Sequence, residues 1–521
     1  MDYFSNRDKN VFIINLPKII DRGALMSRYS RAVETDIRNL WDKEFAGKEE
    51  KGEKFYERVF LEYGDESIAE LVTAQVGIQN VSNIVSKIIE DGRIGLSYLE
   101  KSSRYVPYDQ KINGRYLFAE PGKIGIPDDF ASEYEEYCNS LFESYTVIMG
   151  KLISYIRENF QIENTEFTLP GGKQVRFGED PEIDETLRKS YESAVRSRAL
   201  DEVRFILPSS TLTNVGISGN ARGFAHLLER LKSIYSEETQ DLYRELMDEL
   251  KIVFPKLIDT VESGYGLRTI EYMNKISDFI PEPIEMDHLE PTEAVELIKW
   301  ENDDEAVNTV LAANYFQRSY GSFAGFHDIF KELSMDDKRK IVASIASLRK
   351  SRREKPDRSL EHINYTFQIT TNFGAFRELQ RHRILAMQRK LVSTDYGYDI
   401  PPFISSISEA LQIYKERMDE GKKLYDRIRV KDKVAAQYVV PFGYRYPVIV
   451  TTDLRELVYL TELRSTPQAH FDLRKISIEL TEKVAKVNPS ISAFFRFVNK
   501  KEEELGRLQA EVRKEIRKKK L

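Results

Sequence analysis

The feature that most limits what this chain can fold into is that it repeats itself. Near residue 70 it reads Glu70-Leu71, then an alternating segment with Val72, Ala74, Val76 and Ile78 on one face. An apolar helix from Val81 to Ile89 follows and ends at Arg93. Near residue 361 it reads Glu361-His362, then an alternating segment carrying Ile363, Tyr365, Phe367 and Ile369. Again an apolar helix follows, Phe373 to Leu379, ending at Arg383. Alternation marks a strand with one buried face, and the longer apolar period marks a helix. The two Glu-to-Arg spans differ by a single residue. A second pair of blocks comes in the same order: Val203-Arg204-Phe205-Ile206-Leu207-Pro208 parallels Gln437-Tyr438-Val439-Val440-Pro441. Fourteen residues after each proline stands an Arg, Arg222 or Arg455, two places after an N-cap candidate, Asn220 or Asp453. Two matched pairs in one order read as a tandem repeat.

A chain of 521 residues can bury two cores, and its 41% hydrophobic content is that of a globular protein. Helical periodicity dominates, as from Phe130 to Asn159 and from Ser236 to Val261. The expected class is α+β: two diverged repeats, each a helix-rich domain with a small mixed or antiparallel sheet. The first is placed at 1–285, with an insertion at about 110–195 that contains the turn Thr168-Leu169-Pro170-Gly171-Gly172, and the second at 290–521. Prolines from Ile280-Pro281-Glu282-Pro283 to Pro291 mark the junction. Residues 501–521 read as a charged helix with a solvated end, and Arg349 to Arg358 as a solvated loop.

The formal charge of −7 argues against duplex nucleic acid as a partner, though not against one small anion. The polar start, Met1 to Arg7, has no signal-peptide core, and no apolar run suits a membrane helix, so a cytoplasmic location is expected. The lone Cys138 cannot form an internal disulfide, and the scattered histidines have no metal-ligand spacing. No metal is expected.

Two strings carry candidate chemistry. Arg381-His382-Arg383 places two guanidiniums around an imidazole, a set that can bind phosphate or polarise a heteroaromatic ring. The same residues could simply complement the negative end of a helix dipole. In Glu100-Lys101-Ser102-Ser103-Arg104-Tyr105, an extended backbone would put Glu100, Ser102 and Arg104 on one face, suited to a phosphorylated, hydroxyl-bearing ligand. A polar turn before Val106-Pro107 would also explain it.

Taken together these blocks resemble the flavin-dependent thymidylate synthases, the ThyX family, whose signature is Arg-His-Arg, a short spacer, then Glu-x-Ser-x-Arg-Tyr after a Glu-His, strand and helix block. The second copy carries the first half as Glu361-His362 through Arg381-His382-Arg383, but has Arg389-Lys390-Leu391-Val392-Ser393 in place of the second half. The first copy is its complement, with Asp91-Gly92-Arg93 for Arg-His-Arg but Glu100 to Tyr105 intact. Later, the nucleotide-contacting Arg is kept as Arg204 and replaced by Gln437. The late Arg that helps activate the pyrimidine is present as Arg464, whereas the first copy has Leu231 there with Arg230 one residue early.

The resemblance implies dUMP and methylenetetrahydrofolate as substrates, FAD as cofactor and NADPH as reductant. Arg464 would be catalytic. Glu100, Ser102, Arg104, Arg204, Arg381 and Glu378 would contact dUMP, although a carboxylate at Glu378 would repel a phosphate. Arg381, His382, Arg383, Asn220, Arg222, His226 and Ser67 would contact FAD. Family sites form between subunits, so the sorting of the two residue sets into separate copies implies a composite site. It also implies a homodimer of four domains, a pseudo-tetramer with half its sites working. The alternative is a catalytically silent relative that binds flavin or nucleotide in a regulatory or structural role.

Overall fold

The computed structural model describes residues 3–47, 51–56, 66–92, 94–278 and 293–519. Arg93 and the proline-rich junction lie outside them. The first repeat runs β1 (Thr73–Ser82), α1 (Asn83–Ile89), β2 (Leu96–Glu100), α2 (Ala131–Asn159), β3 (Glu166–Thr168), β4 (Gln174–Arg176), α3 (Pro181–Val203), β5 (Leu212–Asn220) and α4 (Ala221–Lys232). The second runs β6 (Val295–Lys299), β7 (Asn364–Asn372), α5 (Phe373–Leu379), β8 (Ala386–Arg389), α6 (Ser408–Ile428), β9 (Arg445–Asp453), α7 (Leu454–Arg464), α8 (Phe471–Val487) and α9 (Leu508–Lys519). The class is α+β, as expected, with helices predominating and every described strand pair antiparallel.

The repeat is visible in the sheets. The first has the order β1-β5-β2; the second has the matching β7-β9-β8 with β6 added at one edge. Registers agree residue by residue: Glu100 pairs with Val215 and Arg389 with Val448, while Ser82 pairs with Leu212 and Asn372 with Arg445. The one-residue difference between the repeats is a bulge in β1 between Ile78 and Val81. There Asn80 takes φ +57°, and its N–H donates to the Asn214 side chain at 3.1 Å. Asparagine tolerates that left-handed geometry better than most residues.

Each central helix starts on a side-chain cap. Ser82 accepts from the Val85 N–H, and Asn372 from the Ala375 N–H. Both α1 and α5 are buried on every side, Lys87 and Arg377 included, because each is pressed against the other repeat. The contact has local two-fold symmetry. Pro208 bridges Pro441; Ser209 N–H donates to the Val440 carbonyl, and Phe442 N–H to the Leu207 carbonyl, each at 2.9 Å. Alongside, α2 packs on α6, where Gly421 makes room for Tyr137: a Cβ there would lie 2.2 Å from the phenol oxygen.

Three expectations need correction. The helix expected over Ser236 to Val261 stops at Val253, two residues before Pro255. The stretch from 350 to 355 is an exposed loop as expected, but Arg349 is buried, with its guanidinium on both oxygens of Glu462 at 3.0 and 2.6 Å. The charged C-terminal helix is not wholly solvated either. Leu508 and Val512 are buried as α9 packs on α3 of the first repeat.

Candidate functional site

Between the repeats lies an open cleft of about 250 Å³, lined by Ser102, Ser103, Arg104, Tyr105 and Arg204 from the first and by Arg377, Glu378, Arg381, Leu463, Arg464 and Gln468 from the second. The two residue sets separated by the sequence signature therefore meet within one chain.

Glu378 sits at the centre. It is 5% exposed and accepts from Arg104 Nη1 at 2.8 Å and Arg204 Nη2 at 3.3 Å, with Arg464 Nη1 at 3.9 Å. Burial alone would raise its pKa, but Arg104 and Arg204 outweigh that and hold it down at about 2. Arg204 is wholly enclosed, and burial lowers its pKa to about 10 against the pull of Glu378. Its Nε has no hydrogen-bond partner among the described residues.

Arg104 is held on all sides. Nε and Nη2 grip Asp201 at 2.8 and 2.9 Å, Nη1 reaches Glu378, and Nη2 also donates to the Gln468 carbonyl at 3.2 Å. Asp201 in turn takes both bonds of Arg507, at 2.8 and 2.9 Å, and Arg507 donates to the Arg104 carbonyl at 3.2 Å. Asp201 and Arg507 belong to no motif, and sequence reasoning missed them.

Glu100 organises a second cluster. Although burial opposes ionisation, Arg377 at 3.0 Å, Lys87 at 3.0 Å and Arg381 at 3.7 Å keep its carboxyl far below the usual range. Arg381 is only loosely tethered there and its side chain is 44% exposed, which leaves its guanidinium facing the cleft. Ser102 Oγ accepts from the Arg104 N–H at 3.3 Å, fixing the turn that carries both.

Arg464 is aimed by a short chain of bonds. Its Nε–H donates to His382 Nε2 at 2.9 Å, and His382 Nδ1 meets Glu456 Oε1 at 2.8 Å. Because Nε2 is the acceptor, the imidazole is neutral with its proton on Nδ1. Burial lowers the His382 pKa despite Glu456, in keeping with that form. Both ring nitrogens are thus engaged within the protein, and His382 lies under Arg464 rather than open to a ligand. At the mirror position Arg230 makes the counterpart contact: Arg230 Nη1 donates to the Ile88 carbonyl at 3.4 Å, as Arg464 Nη2 does to the Glu378 carbonyl at 3.3 Å. Gly92, which replaces the His, leaves room for the ends of two side chains, since a Cβ would stand 2.9 Å from the Tyr98 hydroxyl and 3.1 Å from Arg230.

The remaining expected residues lie around the edge of the first sheet. Arg383 crosses from the second repeat to donate to Ser97 Oγ at 2.8 Å, and the Asn220 N–H donates to the Gly95 carbonyl at 2.9 Å, so both reach the segment 95–97. The Asn220 side chain caps α4 by accepting from the Gly223 N–H. Arg222 pairs with Glu70 at 2.8 Å, as its counterpart Arg455 pairs with Glu361 at 2.6 Å, so each Glu braces the first turn of the later helix in its repeat. His226 is exposed beside Glu229 at 3.3 Å, and Ser67 is exposed in the turn before β1. Cys138 is buried on α2 with its thiol pushed up to about 12 by burial. No helix of the described residues is long and apolar enough to cross a membrane, and no group of His, Cys, Asp and Glu among them is arranged for a metal.

The profile of the thymidylate synthase complementing protein family matches residues 21–256 and again 296–490, one stretch for each repeat. A UPF0159 protein of Thermoplasma acidophilum is 46% identical across 96% of this chain and 99% of its own length. A UPF0159 protein of Chlamydia muridarum is 33% identical across 98% of this chain and 96% of its own. A flavin-dependent thymidylate synthase of Clostridium tetani is 26% identical over 190 residues, covering 32% of this chain and 74% of its own length. The chain belongs to the thymidylate synthase complementing (ThyX) family, in a form that carries the domain twice.

Proposed function

We propose that the chain is a flavin-dependent thymidylate synthase that converts dUMP to dTMP, taking its one-carbon unit from methylenetetrahydrofolate at a site composed from both repeats. The observation that carries this reading is the meeting of Arg104 and Arg204 with Arg381 and Arg464 around one cleft. Arg381 is the group best able to take a phosphate, being exposed and lightly tethered. Arg464, lowered in pKa by burial and oriented by neutral His382, supplies positive charge where negative charge develops on the pyrimidine. Glu378 neutralises the guanidiniums behind the nucleotide rather than touching its phosphate.

FAD, when bound, supplies the hydride, with NADPH proposed as its reductant. By charge, the exposed guanidinium of Arg383 fits the cofactor's diphosphate, and a role for Arg383 and Asn220 together is supported by their bonds to the one segment Gly95–Ser97. Arg222, His226 and Ser67 are proposed at the same rim. Enclosed Cys138 is in no position to serve as a nucleophile, which suits a flavin route. A homodimer of four domains is the proposed assembly.

A second reading is favoured by one observation: the donors of Arg104 are already taken by Asp201, Glu378 and the Gln468 carbonyl. On that reading the protein binds nucleotide or flavin without turnover. Anaerobic oxidation of reduced FAD-loaded protein separates the two. The enzyme requires dUMP and methylenetetrahydrofolate for oxidation and yields dTMP; a protein that holds flavin yet forms no dTMP supports the silent reading.

A further inference from the structure

Two ion pairs between the repeats occupy equivalent places across the local two-fold axis with their charges exchanged. Strand register makes Glu100 and Arg389 equivalent, since they pair with Val215 and Val448. The ends of α1 and α5 make Asp91 and Arg381 equivalent. On one side of the axis Glu100 of the first repeat faces Arg381 of the second at 3.7 Å. On the other, Asp91 of the first faces Arg389 of the second, with Nε at 3.0 Å and Nη2 at 2.5 Å. The first repeat supplies the acid both times and the second supplies the base. Gln380 adds to the second contact, donating to Asp91 at 2.7 Å and to the Lys87 carbonyl at 2.8 Å. Arg377 adds to the first, on Glu100.

We infer that this exchange selects the pairing of unlike repeats over pairings of like ones. Two first repeats in this geometry would set Glu100 against Asp91 twice. They would also put Ile88 where Glu378 now neutralises Arg104 and Arg204. Two second repeats would set Arg381 against Arg389 twice and leave Glu378 facing Ser393 and Gln437. Lys87 would soften the first case, since it lies 3.0 Å from Glu100, but Glu90 shares that ammonium at 2.5 Å. Like charges set against each other across an interface, with Glu100 buried and Asp91 and Arg389 half-buried, count against the wrong partner. A duplicated chain has need of such selection, because homotypic pairing would link separate chains end to end. The inference holds whether or not the protein turns over substrate.

The test uses the full chain. Asp91→Arg sets two guanidiniums together within the chain and makes the first repeat complementary to itself, through Glu100 of another molecule. Asp91→Asn removes the attraction without creating that complementarity. By sedimentation velocity at rising concentration, Asp91→Arg is expected to form species larger than the wild type, while Asp91→Asn melts lower than wild type with the wild-type mass distribution. Arg389→Asp is the second route, now making the second repeat self-complementary, should Asp91→Arg fail to fold. Asp91→Arg combined with Arg389→Asp is expected to recover most of the melting temperature lost by either. Equal mass distributions for Asp91→Arg and Asp91→Asn, or a double variant no more stable than the singles, would overturn the inference.

Discussion

Glu378 determines how much positive potential the cleft can offer a ligand, because Arg104, Arg204 and Arg464 all lie against it. In Glu378→Gln the amide keeps the shape and loses the charge. The guanidiniums then repel one another but are freer for an anion. Such a variant should lose about 1–3 kcal/mol of stability by denaturant titration and bind dUMP more tightly by calorimetry; weaker binding would mean that Glu378 itself contacts the nucleotide. The sign of its pH dependence follows from its depressed pKa. The stabilisation is complete above the carboxyl's ordinary value of 4.5 and is lost as pH falls toward about 2. His382 acts earlier. Its folded pKa is lowered, so below 6.5 the unfolded chain takes up protons that the folded chain resists, and stability falls as pH falls. Protonation would also remove the Nε2 lone pair that accepts from Arg464. Nitrogen NMR of labelled histidine at pH 7 should find His382 neutral with its proton on Nδ1; a doubly protonated ring, or the proton on Nε2, would refute the chain of bonds.

At the scale of elements, the C-terminal helix α9 couples the end of the chain to the site. Arg507, just before it, holds both Asp201 and the Arg104 carbonyl, and its guanidinium lies 4.7 Å over the Tyr105 ring. Arg507 is thus a positioning residue for the 102–105 turn. Arg507→Ala should raise the KM for dUMP with a smaller change in kcat, and Arg507→Lys should recover part of the loss; equal loss of both parameters with an unchanged KM would contradict that role. Truncating Leu508 to Ala, a buried contact of α9 with α3, should cost about 2–5 kcal/mol in thermal or denaturant unfolding. This element shows where sequence reading reached its limit. Charge density in residues 501–521 masked the buried pair Leu508 and Val512, four apart on one helix face. The Arg507–Asp201 pair spans 306 residues, and no spacing rule reaches that far. By contrast β1, β7, α1 and α5 were legible, since alternation and apolar runs are local signals, and the one-residue excess in the first repeat became the bulge at Asn80.

At the scale of the molecule, fusing two diverged domains lets each keep one half of a pocket. Arg104 and Arg204 sit in fixed-spacing blocks of one copy and Arg381 and Arg464 in those of the other, so their sorting could be read before any fold was known. That they meet inside a single chain could not, because part of the contact, around Pro208 and Pro441, is made by backbone atoms that any sequence supplies. The mirror pocket is built differently: Asp91 and Arg389 close on each other, and Gly92 yields its place to Arg230 and Tyr98. One measurement bears on this most directly. Arg104→Ala and Arg464→Ala should each abolish dTMP formation while leaving the protein folded, and chains carrying one change each should stay inactive when co-expressed and purified together, since every cleft draws both residues from the same chain. Recovery of turnover in the mixed preparation would show that the working site is assembled between chains, and full activity in either single variant would contradict the composite site altogether.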